Sequence, residues 1–581
     1  MSLKRCLEVP RAEHPKMQFK RGNWKNLNGE WSYEIDNSCS GIDRKLFEVN
    51  TSFSDKIIVP FAPQSVLSGV GNKDFIRGIW YQRKIDVNAT ELRGIIRLHF
   101  GAVDYEAMVY VNGNLVGSHK GGYSSFFFDI EEFVNVGENT ITVFAVDDER
   151  NPLIPRGKQS ELYYSHKCDY TRTTGIWQTV WLEYMPKEHI SSVKYFPDYR
   201  NATVTMEISL KGCQSLDVNI SFEGVKMAEH QEADCSGTRI ITLQLAEQHL
   251  WELGNGRLYD VLFKFGDDEV QSYFGLRNIE LKGDKFLLNG KSVFQRLVLD
   301  QGFYPDGIYT APTDEALKRD IELALSCGFN GARPHQKIFE ERYFYHCDKL
   351  GYIVWGEYPD WGLDASNPEN IYSIMPEWIE TLQRDFNHPS IIGWCPRNEV
   401  WGQNGRPPHK PSIKLLYDVT KQIDNTRPCI DTSGGFHVAT DIYDLHDYNQ
   451  DAERFKSNYD RIMTENVLHD CFATKQHYEG QPLFMSEYGG FKWSSHEDGA
   501  WGYGNAPKTE EEFIERFRKL SYAIMDNSRF MGFCYTQITD VEQETNGLFN
   551  YDRTPKFDCA IFKEILSKPA AIECCDINKK L

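Results

Sequence analysis

The chain has no run of the roughly 18 to 20 apolar residues that a membrane-spanning helix needs. Its first twenty residues, MSLKRCLEVPRAEHPKMQFK, lack the apolar centre of a signal peptide. The fourteen cysteines form no repeated CxxC pair and no Cys/His zinc spacing. Several of them, such as Cys327, Cys395 and Cys534, lie inside apolar runs, where a small buried thiol is the ordinary reading. A reducing compartment, the cytoplasm, is therefore the expectation. Basic residues are also in deficit: 64 Lys and Arg face 84 Asp and Glu, a formal net charge of -20. That balance argues against nucleic acid or an anionic membrane surface as a partner. Core material is plentiful, with 41% hydrophobic and 13% aromatic residues, which excludes a disordered or fibrous chain. A length of 581 residues predicts about two to four domains.

Residues 1–185 read as a β-sandwich. EAMVYVNGNLVGSH alternates about Asn112-Gly113, a strong hairpin signal, and Gly, Pro and Asn recur at short intervals. Residues 186–275 hold further alternating stretches, NATVTMEISLKG, SLDVNISFEG and GRLYDVLFKFG, which suit a small immunoglobulin-like sandwich. From residue 276 to 581 short apolar runs alternate with amphipathic helices. TDEALKRDIELALSCGFN shows the pattern: Thr313 as cap, Asp314 and Glu315 in the first turn, an apolar stripe from Leu317 to Leu325, and Gly328 as the stop. Strands are predicted at 293–299, 331–334, 352–357, 391–399, 428–433, 442–448, 482–488 and 530–537. Eight βα units over about 300 residues predict a (β/α)8 TIM barrel.

Barrel active sites lie at the C-terminal strand ends. The polar residues there are Asp300, His335, Glu357, Asn398, Glu399, Asp431, His446, Asp447, Tyr448, Glu487 and Gln537. Each has a plainer reading, as a helix cap, an ion-pair partner or a satisfied core histidine. Glu399 and Glu487 differ, because apolar strands (IIGWCPRNE and PLFMSEYGG) deliver both. A carboxylate placed there is costly unless something uses it. Strands four and seven of a barrel face each other, and two converging carboxyls suit glycosidic bond cleavage. Trp394 and Trp401 flank Glu399 and are expected to exclude water, with barrel filling as the alternative for Trp394.

HPSIIGWCPRNE resembles the acid/base segment of glycoside hydrolase family 2, the group of β-galactosidases, β-glucuronidases and β-mannosidases, and PLFMSEYGG resembles its nucleophile segment. The resemblance covers essentially the whole chain. It implies an N-terminal jelly-roll sugar-binding domain, an immunoglobulin-like β-sandwich and a catalytic barrel. It assigns Glu399 as general acid/base, Glu487 as nucleophile and Asn398 as a partner of the sugar 2-hydroxyl. The family retains anomeric configuration, so the two carboxyls should lie about 5 to 5.5 Å apart. Asp300 and Gln301 stand where many members carry Asn-Arg-His-Glu, which makes Asp300 a candidate for sugar hydroxyls or merely a loop cap. His335, Trp361, His446, Tyr448 and Trp493 complete the candidate substrate-binding set, Tyr448 as the tyrosine the family places near its nucleophile. Uronate-specific members use an Asn-x-Lys pair, and Glu544 and Asn546 stand there instead, so a neutral sugar, β-galactoside first, is expected.

No cofactor and no required metal are expected, since Glu357 alone is not a magnesium site. The expected partner is a small glycoside or oligosaccharide, and the resemblance allows a homo-oligomer of unspecified size. Other glycoside specificities, a non-catalytic carbohydrate-binding protein, and a zinc hydrolase built on Glu357, His335 and His446 are the competing readings. One loop of the first domain is expected to reach the barrel mouth, with GGYSSFFFDI (121–130) as candidate or as plain core strand.

Overall fold

The computed structural model describes residues 9–403, 405–470, 472, 476–494 and 499–574. Two antiparallel sheets pack face to face in the first part. One has the order Trp24–Asn26, Val180–Met185, Ile95–Phe100, Phe126–Asp129. The other has six strands, with Gly78–Val87 and Gly137–Val146 at its centre. Alternating side chains such as Leu98, Val109, Ile141 and Leu182 fill the space between the sheets, as period-two strands require. Asn112 and Gly113 both take positive φ (50° and 80°), closing the hairpin through a primed turn.

The next part differs from a set of short strands. Thr203–Phe222 and Val225–Gln244 are each twenty residues long and pair with one another around Glu223-Gly224. Register shifts near Cys213 and Leu216 bend this hairpin. The five-stranded sheet can thereby wrap its own core of Val204, Ile208, Val218 and Phe263.

The last part is a parallel barrel. Its seven regular strands run in the order Ile391–Cys395, Ile353–Glu357, Gly331–Pro334, Gln295–Asp300, Phe530–Thr536, Leu483–Gly489, Tyr443–Asp447. The stretch predicted as a fifth strand, 428–433, joins Ile391–Cys395 only by parallel bridges at Trp394–Cys429 and Asn398–Ser433. It begins on Pro428, which has no N–H for the ladder, and ends in the turn at Gly434. Helices cover the strands. In Asp314–Ser326 the Thr313 hydroxyl accepts the Ala316 N–H at 3.1 Å, and Leu317, Ile321 and Ala324 are buried. No helix among the described residues is long and apolar enough to cross a membrane.

Two of the contacts between the first sandwich and the barrel bear on the site. Glu377, on the helix Ile371–Asp385, accepts the Tyr123 and Ser124 N–H groups at 2.6 and 3.1 Å, so the 121–124 stretch clamps a helix rather than the mouth. Segment 150–174 is the part that reaches the mouth. Arg156 N–H donates to Trp361 O at 2.8 Å, Gln543 Nε2 to Lys167 O at 2.7 Å, and Tyr170 OH to Glu544 Oε2.

Candidate active site

Five barrel strands deliver polar side chains to one place at their C-terminal ends. Arg333 comes from Gly331–Pro334, Glu357 from Ile353–Glu357, His446 from Tyr443–Asp447 and Glu487 from Leu483–Gly489. Asn398 and Glu399 follow Ile391–Cys395. His446 and Glu487 are register partners on adjacent strands.

Glu487 is almost fully enclosed, and each oxygen has a donor. Arg333 Nη1 donates to Oε1 at 2.6 Å, and Tyr448 OH donates to Oε2 at 2.5 Å. His446 Nδ1 lies 3.4 Å from Oε2 and 2.8 Å from Glu399 Oε1, so one imidazole sits between the two carboxylates. Burial alone would push the Glu487 carboxyl up. His446, Arg333, His335 and the Tyr448 hydroxyl together outweigh burial and hold it far below the usual carboxylate range. Glu487 is thus a charged, hydrogen-bonded, dry carboxylate.

Glu399 is placed differently. Its backbone is left-handed (φ 48°), and its N–H donates to Ser433 O at 2.8 Å. This irregular bridge turns the side chain out of the strand line, at a backbone cost on the order of 1–3 kcal/mol. Its side chain keeps 21% exposure against 4% for Glu487. Glu399 is therefore open to solvent while Glu487 is enclosed. Carboxylate oxygens of the two, with a His446 nitrogen, lie within 4.8 Å of one another. That closeness is compatible with the roughly 5 to 5.5 Å spacing of a retaining pair.

Arg333 organises the set. Nη2 donates to Asn398 Oδ1 at 2.5 Å, and Nε lies 2.6 Å from Glu357 Oε2. Asn398 Oδ1 is thereby occupied, while its buried Nδ2 has no partner among the described residues and remains available as a donor to a bound hydroxyl. Asp360 Oδ1 accepts the Asn398 N–H at 3.0 Å and Gln336 Nε2 at 2.9 Å, fixing the loop under the site. Gly434 runs beneath His446. A Cβ there would meet Nδ1 at 2.1 Å, so only glycine admits this imidazole.

The other candidates divide. His335 Nδ1 lies 2.8 Å from Glu357 and its Nε2 3.9 Å from Glu487; burial holds its pKa well below the ordinary histidine value. Trp361 is at the mouth, its ring beneath Lys158. Asp300 is not brought to the site. Strand alternation from Gln295, which is bonded to the interior Trp355, turns Asp300 outward, where it accepts the Gly302 N–H at 2.9 Å as a loop cap. Trp493 packs on Phe513 and Phe557, in the aromatic layer beneath the helices rather than the mouth. Trp394 points into the helix layer, donating to Asp424 Oδ2 at 2.8 Å and packing edge-on against Trp378. Trp401 is 53% exposed against Phe472, so neither tryptophan seals Glu399. The sequence reading missed Arg333, Asp360 and Tyr503, whose ring stacks on Tyr448 at 3.5 Å. Only Arg333 carried a signal, as a lone cation in a short barrel strand.

Residues 24–186 match the sugar binding domain of glycosyl hydrolases family 2, and residues 279–570 match the TIM barrel domain of the same family. The chain belongs to glycosyl hydrolases family 2. Among family 2 relatives, a putative β-glucuronidase of Formosa agariphila is 27% identical over 71% of this chain and 51% of its own length. A β-galactosidase of Thermoanaerobacter pseudethanolicus is 26% identical over 78% of this chain and 62% of its own. The chain therefore spans about half to two thirds of these two proteins. A β-glucuronidase of Streptococcus agalactiae is 25% identical over 94% of this chain and 96% of its own length. The solved β-glucuronidase of Ruminococcus gnavus in complex with D-glucuronic acid superposes with a TM-score of 0.78 at 20% identity, covering 97% of this chain and all of that one. At that identity the likeness is one of fold.

The electrostatics of this family 2 site carry a pH signature. Burial lowers the His446 pKa, but Glu487 and Glu399 more than reverse that and raise it. A raised folded value means that the stability His446 contributes is fully present below its unfolded pKa of about 6.5 and is lost as pH rises through the folded value. Thermal midpoints measured against pH should therefore fall on the alkaline side, and more steeply for wild type than for His446→Asn.

Proposed function

We propose that the protein is a retaining exo-β-glycosidase acting by double displacement on the terminal sugar of small neutral β-glycosides, β-galactosides first. The observation that carries it is the asymmetry of two adjacent carboxyls, one buried and held ionised by Arg333 and His446, the other partly exposed. Glu487 attacks the anomeric carbon as nucleophile while Glu399 gives its proton to the departing oxygen. The Arg333 and Tyr448 donors hold the attacking carboxylate in one orientation. Glu399 then takes a proton from water, which hydrolyses the glycosyl-enzyme with net retention. Asn398 Nδ2 is suited to the 2-hydroxyl, a bond that tightens as the oxocarbenium-like transition state forms.

A zinc hydrolase fits the donors less well. The cluster Glu399, His446 and Glu487 could offer three ligand atoms, but Arg333 stands 2.6 Å from the same Glu487 carboxylate, a fixed cation where a second would have to bind.

The neutral-sugar reading is supported by Glu544, which is buried at the edge of the mouth and held by Asn546 Nδ2 at 2.9 Å, an acid that would repel a uronate. A β-glucuronidase reading is favoured by names: relatives matched over nine-tenths or more of both lengths, those of Streptococcus agalactiae, Mus musculus and Paenibacillus borealis, bear that name.

The test is the leaving group. Glu399→Ala should lose about 10²- to 10⁴-fold in kcat/KM on an alkyl β-galactoside, and far less on dinitrophenyl β-galactoside, whose leaving group needs no proton. Equal losses on both substrates would remove Glu399 from the acid role.

A further inference from the structure

The first sandwich sends one lysine into the barrel mouth. Gly157 makes the approach possible: its φ is +55°, and a Cβ there would lie 2.4 Å from Gln336 O. The next residue, Lys158, is 3% exposed, with Nζ 3.7 Å from the centre of the Trp361 ring. Its ammonium has no carboxylate within 4.0 Å among the described residues. The Trp361 face offers a cation–π contact, but a buried ammonium whose hydrogen bonds are not taken up is costly.

The charged surroundings define what could take them up. Burial would lower the Lys158 pKa, but Cys168, Glu544, Asp169 and Glu487 raise it above the ordinary lysine value. The Cys168 thiol is itself pushed up to about 11 by burial and so is neutral near pH 7, which leaves the carboxylates as the effective partners. They act at a distance. Glu544 cannot swing toward Lys158, because Tyr170 OH holds Oε2 and Asn546 Nδ2 holds Oε1. Asn546 is in turn fixed by Gln537 Nε2 at 2.7 Å. The ammonium is thus charged and seated on the Trp361 face, with donors that no acceptor among the described residues takes up. A further carboxylate arriving there would meet the ammonium but also the like charges of Glu544 and Glu487, whereas neutral hydroxyls would meet no such repulsion.

We propose that Lys158 is a glycone-binding residue, whose ammonium donates hydrogen bonds to hydroxyls of a neutral terminal sugar over Trp361. A residue of the sugar-binding sandwich then takes part in deciding which sugar the barrel accepts. This assignment rests on the neutral-glycoside reading above.

Lys158→Met, with Lys158→Gln as a second variant, tests it through kcat and KM on nitrophenyl β-galactoside and β-glucuronide, D-galactose affinity by calorimetry, and the thermal midpoint. Charged hydrogen bonds of this kind predict a loss of about 10- to 100-fold in kcat/KM on the galactoside, carried mainly by KM. Galactose affinity should weaken in parallel while the thermal midpoint holds. Galactosidase activity in wild type with undiminished galactose affinity in the folded variants overturns the Lys158 assignment alone. A wild-type enzyme that cleaves the glucuronide and not the galactoside overturns the neutral reading, and the hydroxyl role of Lys158 with it.

Discussion

Glu487→Gln should lower kcat/KM on nitrophenyl β-galactoside by about 10⁴-fold or more, equivalent to roughly 5.4 kcal/mol of transition-state stabilisation. Glutamine fills the same space and can still accept from Arg333, so the folded site should persist. What disappears is the negative charge that attacks the anomeric carbon and that His446 and Arg333 are placed to orient. Binding of galactose should survive, because the sugar is held by other groups. A variant that kept more than a hundredth of wild-type kcat/KM in a steady-state assay would mean that another group attacks.

Arg333→Met should damage both stability and rate. Arg333 is nine-tenths or more buried and reaches three acceptors, Glu487, Asn398 and Glu357. Removing one partner of a buried charge network leaves uncompensated carboxylates, at a cost of about 3–5 kcal/mol. In a multidomain chain that loss belongs to the barrel, so it should show in calorimetry as a lowered barrel transition with the sandwich transitions unmoved. Loss of Arg333 also removes one of the charges that hold Glu487 ionised. The acid limb of the kcat/KM profile should therefore move to higher pH. Arg333→Lys should recover little, since an ammonium is a point charge and cannot reach all three acceptors in the geometry of a guanidinium. If Arg333→Met left both the barrel transition and the acid limb where they are in wild type, Arg333 would not organise the site.

The main lines of this arrangement were visible in the residue pattern, for a physical reason. Short apolar runs ending in a polar residue mark buried parallel strands. Glu487 and the Asn398-Glu399 pair are such endings, and His446 and Tyr448 were reached by the same logic. Asp300 failed on parity. The strand ending was recognised, but facing depends on a register that only the interior neighbour, Gln295, reveals. Trp394 and Trp493 failed for a related cause, since an aromatic beside a strand end packs inward or outward equally well by composition. The irregular stretch at 428–433 was read as one of eight strands; Pro428 at its start and the turn at Gly434 limit it to isolated bridges. Lys158 lay beyond reach altogether. Its place beside Trp361 depends on segment 150–174 crossing from one domain to another, and no local pattern encodes that contact.

The proposed double displacement requires Glu487 to form the covalent bond to sugar. A 2-deoxy-2-fluoro-β-galactosyl fluoride slows hydrolysis of the glycosyl-enzyme, so the adduct can be digested and its peptides mapped by mass spectrometry. The predicted outcome is a single fluorosugar ester on Glu487, in the peptide containing PLFMSEYGG. Turnover of an unmodified β-galactoside to the inverted anomer, with no adduct trapped or with an adduct on another residue, would contradict it.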